Sequence, residues 1–434
     1  MKFQSKDVIL AVIAGMALFA GLALGAWTFL GPAPPPPAPA QLNQSQLQHK
    51  VRELAESNKF DEAEKLASGF LAHDPKSASA RLMLAEIALN RPEPQNEQAL
   101  ELLRTIKPDN QRMAAQVQLD RGKAYYRLSR FDEAEAGWKE AIRLDPTIAE
   151  AGWSLLDLYY VQGRKDDAHR LGLQLFSVEP DQHDQAQLLL ELVRQDAQPA
   201  DPASVAKLFE RVLERDSDDL HTRIALGLAL VRNSRADQGV ELLRKVVAAH
   251  PQDADAWDAL LMGLGIASQS EGLAEALDRL PPELAKSPRF AKHNGRLAWD
   301  RRDWKAAAEA YRRAWEVEPN DHEILYRLGG ALRNAGDVAR AEPIENRARA
   351  FEKAREGLSD LYEEANAVKT LGTENHPELY RKLADNREML GRYGEARAWL
   401  RMILRYEPFE EETMATLKRL DAEHPEPSAA RPGP

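Results

Sequence analysis

AQVQLDRGKAYYRLSRFDEAEAGWKEAIRLDPTI, residues Ala115–Ile148, is the stretch on which the fold turns. Its first half sets Leu119, Gly122, Tyr125 and Tyr126 at helical spacing. A break follows at Ser129-Arg130, and the second half sets Phe131, Ala134, Trp138, Ala141 and Ile142 apart by threes and fours before Pro146 stops it. That pattern predicts two amphipathic helices joined by short turns. Neither helix is long enough to persist alone in water, so each must bury its apolar face against neighbours.

The unit recurs. Pro146 and Pro180 are 34 residues apart, and Asp74-Pro75, His250-Pro251, Glu318-Pro319 and Glu407-Pro408 end similar segments. A fixed period in the range of about 20–50 residues means stacked repeats. With Ala115 as position 1, small residues return at position 8 (Gly122, Gly227, Gly295, Gly329) and at position 20 (Ala63, Ala134, Ala168, Ala307, Ala341, Ala396). Aromatic residues return at position 17 (Phe60, Phe131, Trp304, Tyr393) and position 24 (Trp138, Tyr311). Small side chains at fixed sites let paired backbones approach, and the aromatics fill the space between helices.

On these residues the chain resembles the tetratricopeptide repeat family. Trp257 and Leu260 supply the opening of the family pattern in one unit; Gly122, Tyr125, Ala134, Trp138, Ala141 and Pro146 supply most of the rest in another. The expected architecture is all-α: a right-handed α-solenoid of about ten helix pairs over residues 44–423, preceded by one transmembrane helix. The units fall at about 44–77, 78–114, 115–148, 149–182, 183–219, 220–253, 254–287, 288–321, 322–344 with an extension, and 377–410. Those at 78 and 183 are irregular, with Pro92, Pro94, Pro199 and Pro202 between their helices.

The ends carry a separate reading. Val8–Leu30 is an uncharged apolar run, and about 20 such residues span a bilayer. Lys2 and Lys6 precede it, which by the positive-inside rule keeps the amino terminus cytoplasmic and exports the rest. The expectation is a single-pass protein of a bacterial inner membrane, residues 1–30 its anchor and the bulk periplasmic; a cleaved signal at Ala23-Leu24-Gly25 is the alternative. Gly21 and Gly25 offer a homodimer face within that run. Residues 31–43, with GPAPPPPAPA at Gly31–Ala40, form a polyproline linker, and residues 424–434 a disordered tail. After Gly336 the apolar positions stay in helical phase to Gly372, which predicts one long helix over about 337–371, kinked at Pro343. It either protrudes towards a coiled-coil partner or is covered by its own neighbours.

Charge and composition narrow the function. The chain carries a net charge of −11, an acidic surface that argues against nucleic acid. Without cysteine there are no disulfides, thiolate metal sites or cysteine nucleophile. The histidines are scattered without H-x3-H spacing. Gly263–Ser268 resembles a glycine-rich nucleotide loop only superficially, because it lies on a repeat helix and follows no strand. No catalytic residue, metal ligand or cofactor site is expected. The resemblance implies instead a scaffold that binds a protein or peptide in a concave groove lined by the first helix of each unit. The groove positions give Tyr126, Arg127, Trp153, Asp157, Tyr160, Lys292, Arg296, Trp299, Tyr326 and Arg333. Lys292, Arg296 and Trp299 share one helical face, which suggests an acidic partner segment there. A structural spacer without a ligand, or an accessory subunit of an enzyme complex, are the alternatives.

Overall fold

A computed structural model describes residues 43–425 apart from 215–217, and the elements there are helical, with a single isolated bridge between Leu371 and Glu374. Ten helix pairs follow in order: Gln44–Glu56 with Phe60–His73, Ala78–Asn90 with Asn96–Arg104, Gln111–Arg127 with Phe131–Leu144, Ala149–Val161 with Lys165–Val178, Gln182–Ala197 then Pro202–Leu213, Leu220–Arg232 with Ala236–Ala249, Ala254–Ile266 with Ser270–Asp278, Ala291–Asp300 with Trp304–Val317, His322–Asn334 with Val338–Glu356, and Pro377–Met389 with Tyr393–Tyr406. Glu411–Glu423 closes the chain of helices.

Local chemistry explains each pair. Asn43, Ser77, Asn110, Asp181, Asp219, Asp253 and Asp321 cap first helices through side-chain oxygens that accept orphan backbone N–H groups. The turn inside eight of the pairs places its position-15 residue at positive φ: Asn58, Ser129, Gly163, Ser234, Ser268, Arg302, Gly336 and Gly391. That left-handed residue ends the first helix and reverses the chain. Ser268 is therefore the turn of a repeat, and the glycines before it lie in helix Ala254–Ile266. Position 8 is small because position 24 of the same unit stands over it. A Cβ on Gly122 would lie 2.4 Å from the Trp138 ring, on Gly227 2.5 Å from Leu243, and on Gly329 2.7 Å from Glu345. The position-20 alanines named above are all fully buried, where helix meets helix.

The stack is not linear. Helix Gln182–Ala197 packs on Lys165–Val178 through one face, but its expected partner, Pro202–Leu213, packs on Leu220–Arg232 instead. The vacated place is taken by Leu358–Asn366, and Tyr393–Tyr406 packs beside it on both Lys165–Val178 and Gln182–Ala197. The carboxy-terminal pair thus continues the amino-terminal stack, and residues 202–356 form a second arm inserted between them. This second arm begins against helix Phe131–Leu144: Phe131 meets Phe209 edge-on at 6.3 Å, and the Asp132 N–H donates to Asp219 at 3.1 Å. Helix Gln182–Ala197 is consequently apolar on two sides, with Leu188 and Leu192 in one cluster and Ala186, Leu189, Leu190 and Val193 in the other.

Several expectations are corrected by these contacts. The extension after Gly336 is two helices, Val338–Glu356 and Leu358–Asn366, broken at Gly357. Leu358 and Ala365 are buried in the chain's own core, so the second of them does not protrude. The single-pass placement in a bacterial inner membrane, with an exported solenoid, is also corrected. Among the described residues no helix is long and apolar enough to cross a membrane. The longest, Val338–Glu356, has 19 residues interrupted by charges and Pro343. Val8–Leu30, the Gly21/Gly25 face, Gly31–Ala40 and the end of the tail lie outside the described residues.

Candidate functional site

First helices of consecutive units touch one another, as in Gln44–Glu56 with Ala78–Asn90, Ala78–Asn90 with Gln111–Arg127, and Leu220–Arg232 with Ala254–Ile266. Among second helices, Lys165–Val178 and Tyr393–Tyr406 touch across the junction. The eight candidate groove residues all lie on first helices, in two separate groups.

The second arm holds Lys292, Arg296, Trp299, Tyr326 and Arg333. Its cations are matched by the chain's own acids. Lys292 lies 3.2 Å from Glu318 and 3.7 Å from Asp258. Burial works against its charge, but Asp258 and Glu318 outweigh that and raise its pKa. Arg296 donates to the Gly265 carbonyl at 3.0 Å and to Asp300 at 3.2 Å. Arg333 holds Glu345 at 2.6 Å. Trp299 is half-buried against Trp304 at 5.3 Å, with the Arg327 guanidinium 4.9 Å over its ring. Tyr326 stands open, 60% exposed.

The first arm holds Tyr126, Trp153 and Tyr160, all half-buried. Tyr126 stacks on Phe131 at 5.0 Å with Trp138 tilted beside it at 5.6 Å. The Tyr160 hydroxyl donates to the Gln198 carbonyl at 2.6 Å, and Arg194 lies 4.6 Å over the Tyr160 ring. Carboxylates run along the same face. Asp120 is 1% exposed, 3.4 Å from Lys123, which reaches Glu150 at 2.8 Å. Burial and the Asp120 charge push Glu86 up to about 7. Asp157 keeps an open edge to solvent, yet the concavity around it and the Glu191 charge hold its carboxyl up at about 6.

Of these, Glu86, Asp120, Lys123, Glu150, Glu191 and Arg194 were missed by groove reasoning from the sequence. A signal exists for five of them: Glu86, Lys123 and Glu191 occupy position 9 of their first helices, in register with Asp157, Glu150 occupies position 2 and Arg194 position 12. The irregular units at 78 and 183 hid that register. Among the described residues no group of three or more histidines, aspartates or glutamates is arranged to hold a metal ion.

Sequence profiles described as tetratricopeptide repeat match residues 50–110, 119–173, 197–261 and 294–357. One curated relative, cellulose synthase operon protein C of Pseudomonas fluorescens (strain SBW25), is 30% identical over 129 residues, 28% of this chain. The match spans only 10% of that relative's length. Among solved structures, a tetratricopeptide repeat protein from Parabacteroides merdae is 12% identical, covering 67% of this chain and 98% of its own, with a TM-score of 0.31. A chain of the APC/C hetero-tetramer Cut9–Hcn1 is 15% identical, covering 87% and 90%, at 0.29. MamA is 16% identical, covering 39% and 97%, at 0.28.

Proposed function

From the premise that this chain carries tetratricopeptide repeats, a repeat whose proteins generally mediate protein–protein interactions, we propose that it is a non-catalytic scaffold that holds an extended segment of a protein partner along its first-helix face. The observation that carries this reading is the row of aromatic side chains kept half-open on that face. Tyr126, Trp153 and Tyr160 are neither fully packed nor fully solvated, the state of an interface anchor awaiting desolvation. Aromatic residues and arginine are enriched among residues that dominate binding energy. On the second arm, Trp299 and the open Tyr326 extend the same kind of surface, with Lys292, Arg296 and Arg333 as its polar rim.

A photo-crosslinking residue placed at Trp153 tests the proposal. Irradiation should join the protein to a discrete partner, while the same residue at the exposed Asp278, in helix Ser270–Asp278, should give none. Equal yields at the two positions would refute a binding role for the groove.

A further inference from the structure

Position 12 of the first helix carries an aromatic residue in three units: Tyr126, Tyr160 and Trp299. Two of these rings carry an arginine supplied by the chain itself. Arg194 lies 4.6 Å over Tyr160 and is held there by Glu191, to which its Nε donates at 2.6 Å. Arg327 lies 4.9 Å over Trp299. The third ring, Tyr126, has no cation over it among the described residues.

The Tyr126 site nevertheless has the acid that such a cation would need. Glu191 stands at position 9 of the unit following Tyr160, and Asp157 stands at position 9 of the unit following Tyr126. In the Tyr160 site the guanidinium comes from position 12 of that following unit, Arg194. In the Tyr126 site the equivalent position is Tyr160, which has none to give. Asp157 accordingly makes no hydrogen bond or ion pair with any described residue. It faces Glu191 and Arg194 on helix Gln182–Ala197 and Tyr126 on helix Gln111–Arg127. Arg194 is already committed to Glu191, so Asp157 is left with a like charge and a ring. Elsewhere on this face Glu86, Asp120 and Glu150 have Arg52, Lys123 and Arg127 near them, so the unmatched acid is the one beside Tyr126.

We infer that the groove between helices Gln111–Arg127 and Ala149–Val161 receives an arginine side chain from a basic segment of the protein partner, its guanidinium lying over Tyr126 and paired with Asp157. The inference rests on the scaffold reading above and names the chemistry of what that scaffold binds. It follows from the unpaired acid beside Tyr126 and from the chain's own filled copy of the site at Tyr160. A planar guanidinium suits it better than an ammonium, because it can stack on the ring while its edge donates to the carboxylate.

The test uses the full chain and a fluorescein-labelled peptide alternating arginine with glycine, read by anisotropy at physiological salt. The comparison peptide replaces arginine with citrulline, which keeps the shape and removes the charge. The arginine peptide should bind and the citrulline peptide should bind about tenfold more weakly or not at all, as expected for loss of a charge-assisted hydrogen bond. Asp157→Asn should produce a similar loss, and Asp278→Asn, on an exposed face, should produce none. Affinity should also fall about tenfold from pH 7.5 to pH 5, because a carboxyl titrating near 6 is mostly protonated there. Equal binding of the two peptides, or equal loss with Asp157→Asn and Asp278→Asn, would overturn the inference. In that case crosslinking at Trp153 to a partner of other chemistry would leave the scaffold standing; its absence would remove both.

Discussion

Arg387→Ala should open the junction where the carboxy-terminal pair returns to the first stack. The side chain is fully buried, donating to Asp196 at 2.8 and 3.3 Å and lying 3.5 Å from Glu395. His169 completes the group, its Nδ1 2.5 Å from Glu395 and its Nε2 3.3 Å from Asp196. Lys165 at 3.2 Å and Arg392 at 3.9 Å add partly exposed cations to Asp196, so Glu395 is the carboxylate that depends most on Arg387 and His169. Removing Arg387 takes a buried cation from Asp196 and Glu395 and leaves a cavity. Breaking a buried pair in this way costs about 3–5 kcal/mol, which corresponds to roughly a hundredfold or more in an opening equilibrium. Hydrogen–deuterium exchange should show that loss of protection in Gln182–Ala197 and Leu358–Asn366, and none in the distant helices Gln44–Glu56 and Phe60–His73. Unchanged protection at the junction would refute the reasoning and assign its stability to apolar packing alone.

The same quartet sets a pH dependence. Burial opposes the charge on His169, but Glu395 and Asp196 outweigh it and raise its pKa above the ordinary 6.5. A raised histidine contributes stability that is complete below that ordinary value and is lost as pH rises through the folded-state pKa. Asp196 and Glu395 are depressed below 3.8 and 4.5: burial opposes their charge, and His169 and Arg387 overcome it. Their contribution is present above those values and is lost as pH falls through the folded-state ones. The junction should therefore be tightest between about pH 4.5 and 6.5 and should loosen on the alkaline side first.

Other outcomes follow from single contacts. Ala134→Leu should overpack the junction of its two helices and lower stability by about 1–3 kcal/mol in thermal or denaturant unfolding; no change would mean that position 20 has room. Glu86→Gln should stabilise the protein by about 1–2 kcal/mol at pH 8 and by little at pH 5, because a carboxyl raised to about 7 favours folding only when protonated; a gain independent of pH would refute that. Gly391→Ala should destabilise by about 1–3 kcal/mol, since its φ of +71° is strained for alanine and the new Cβ would lie 2.0 Å from Asn320. An unfolding midpoint unchanged by that substitution would show that the turn relaxes freely.

How much was legible in the sequence varied with the distance over which the information acts. The repeat, its period and its small-residue positions were readable because each reflects a contact inside one helix pair. Gly122 must be small because Trp138 is sixteen residues away on the paired helix, and both belong to the same 34-residue unit. The turn at Ser129-Arg130 was readable for the same reason. Register placed the aromatics Tyr126, Trp153 and Tyr160 on first helices, and it did not give their surroundings. Whether an aspartate such as Asp157 has a cation beside it depends on the neighbouring helix, and the irregular unit at 183 concealed Glu191 and Arg194.

Amphipathic periodicity states that a helix has a face to bury, and it does not state against what. For most units the nearest neighbour in sequence is also the nearest in space, so the distinction is idle. At Gln182–Ala197 it decides the architecture. Pro199 and Pro202 uncouple that helix from the next, and its second apolar face waits for Leu358–Asn366, more than 160 residues along the chain. The run after Gly336 looked like one helix because its buried positions stay in phase across Gly357. Only the return of the chain onto the first stack shows why it breaks there. The sequence by itself determined an all-helical repeat, because each unit's pattern is written within its own helix pair. The tertiary structure decided that the stack branches and closes on itself, because that choice is made by surfaces that no local pattern can pair.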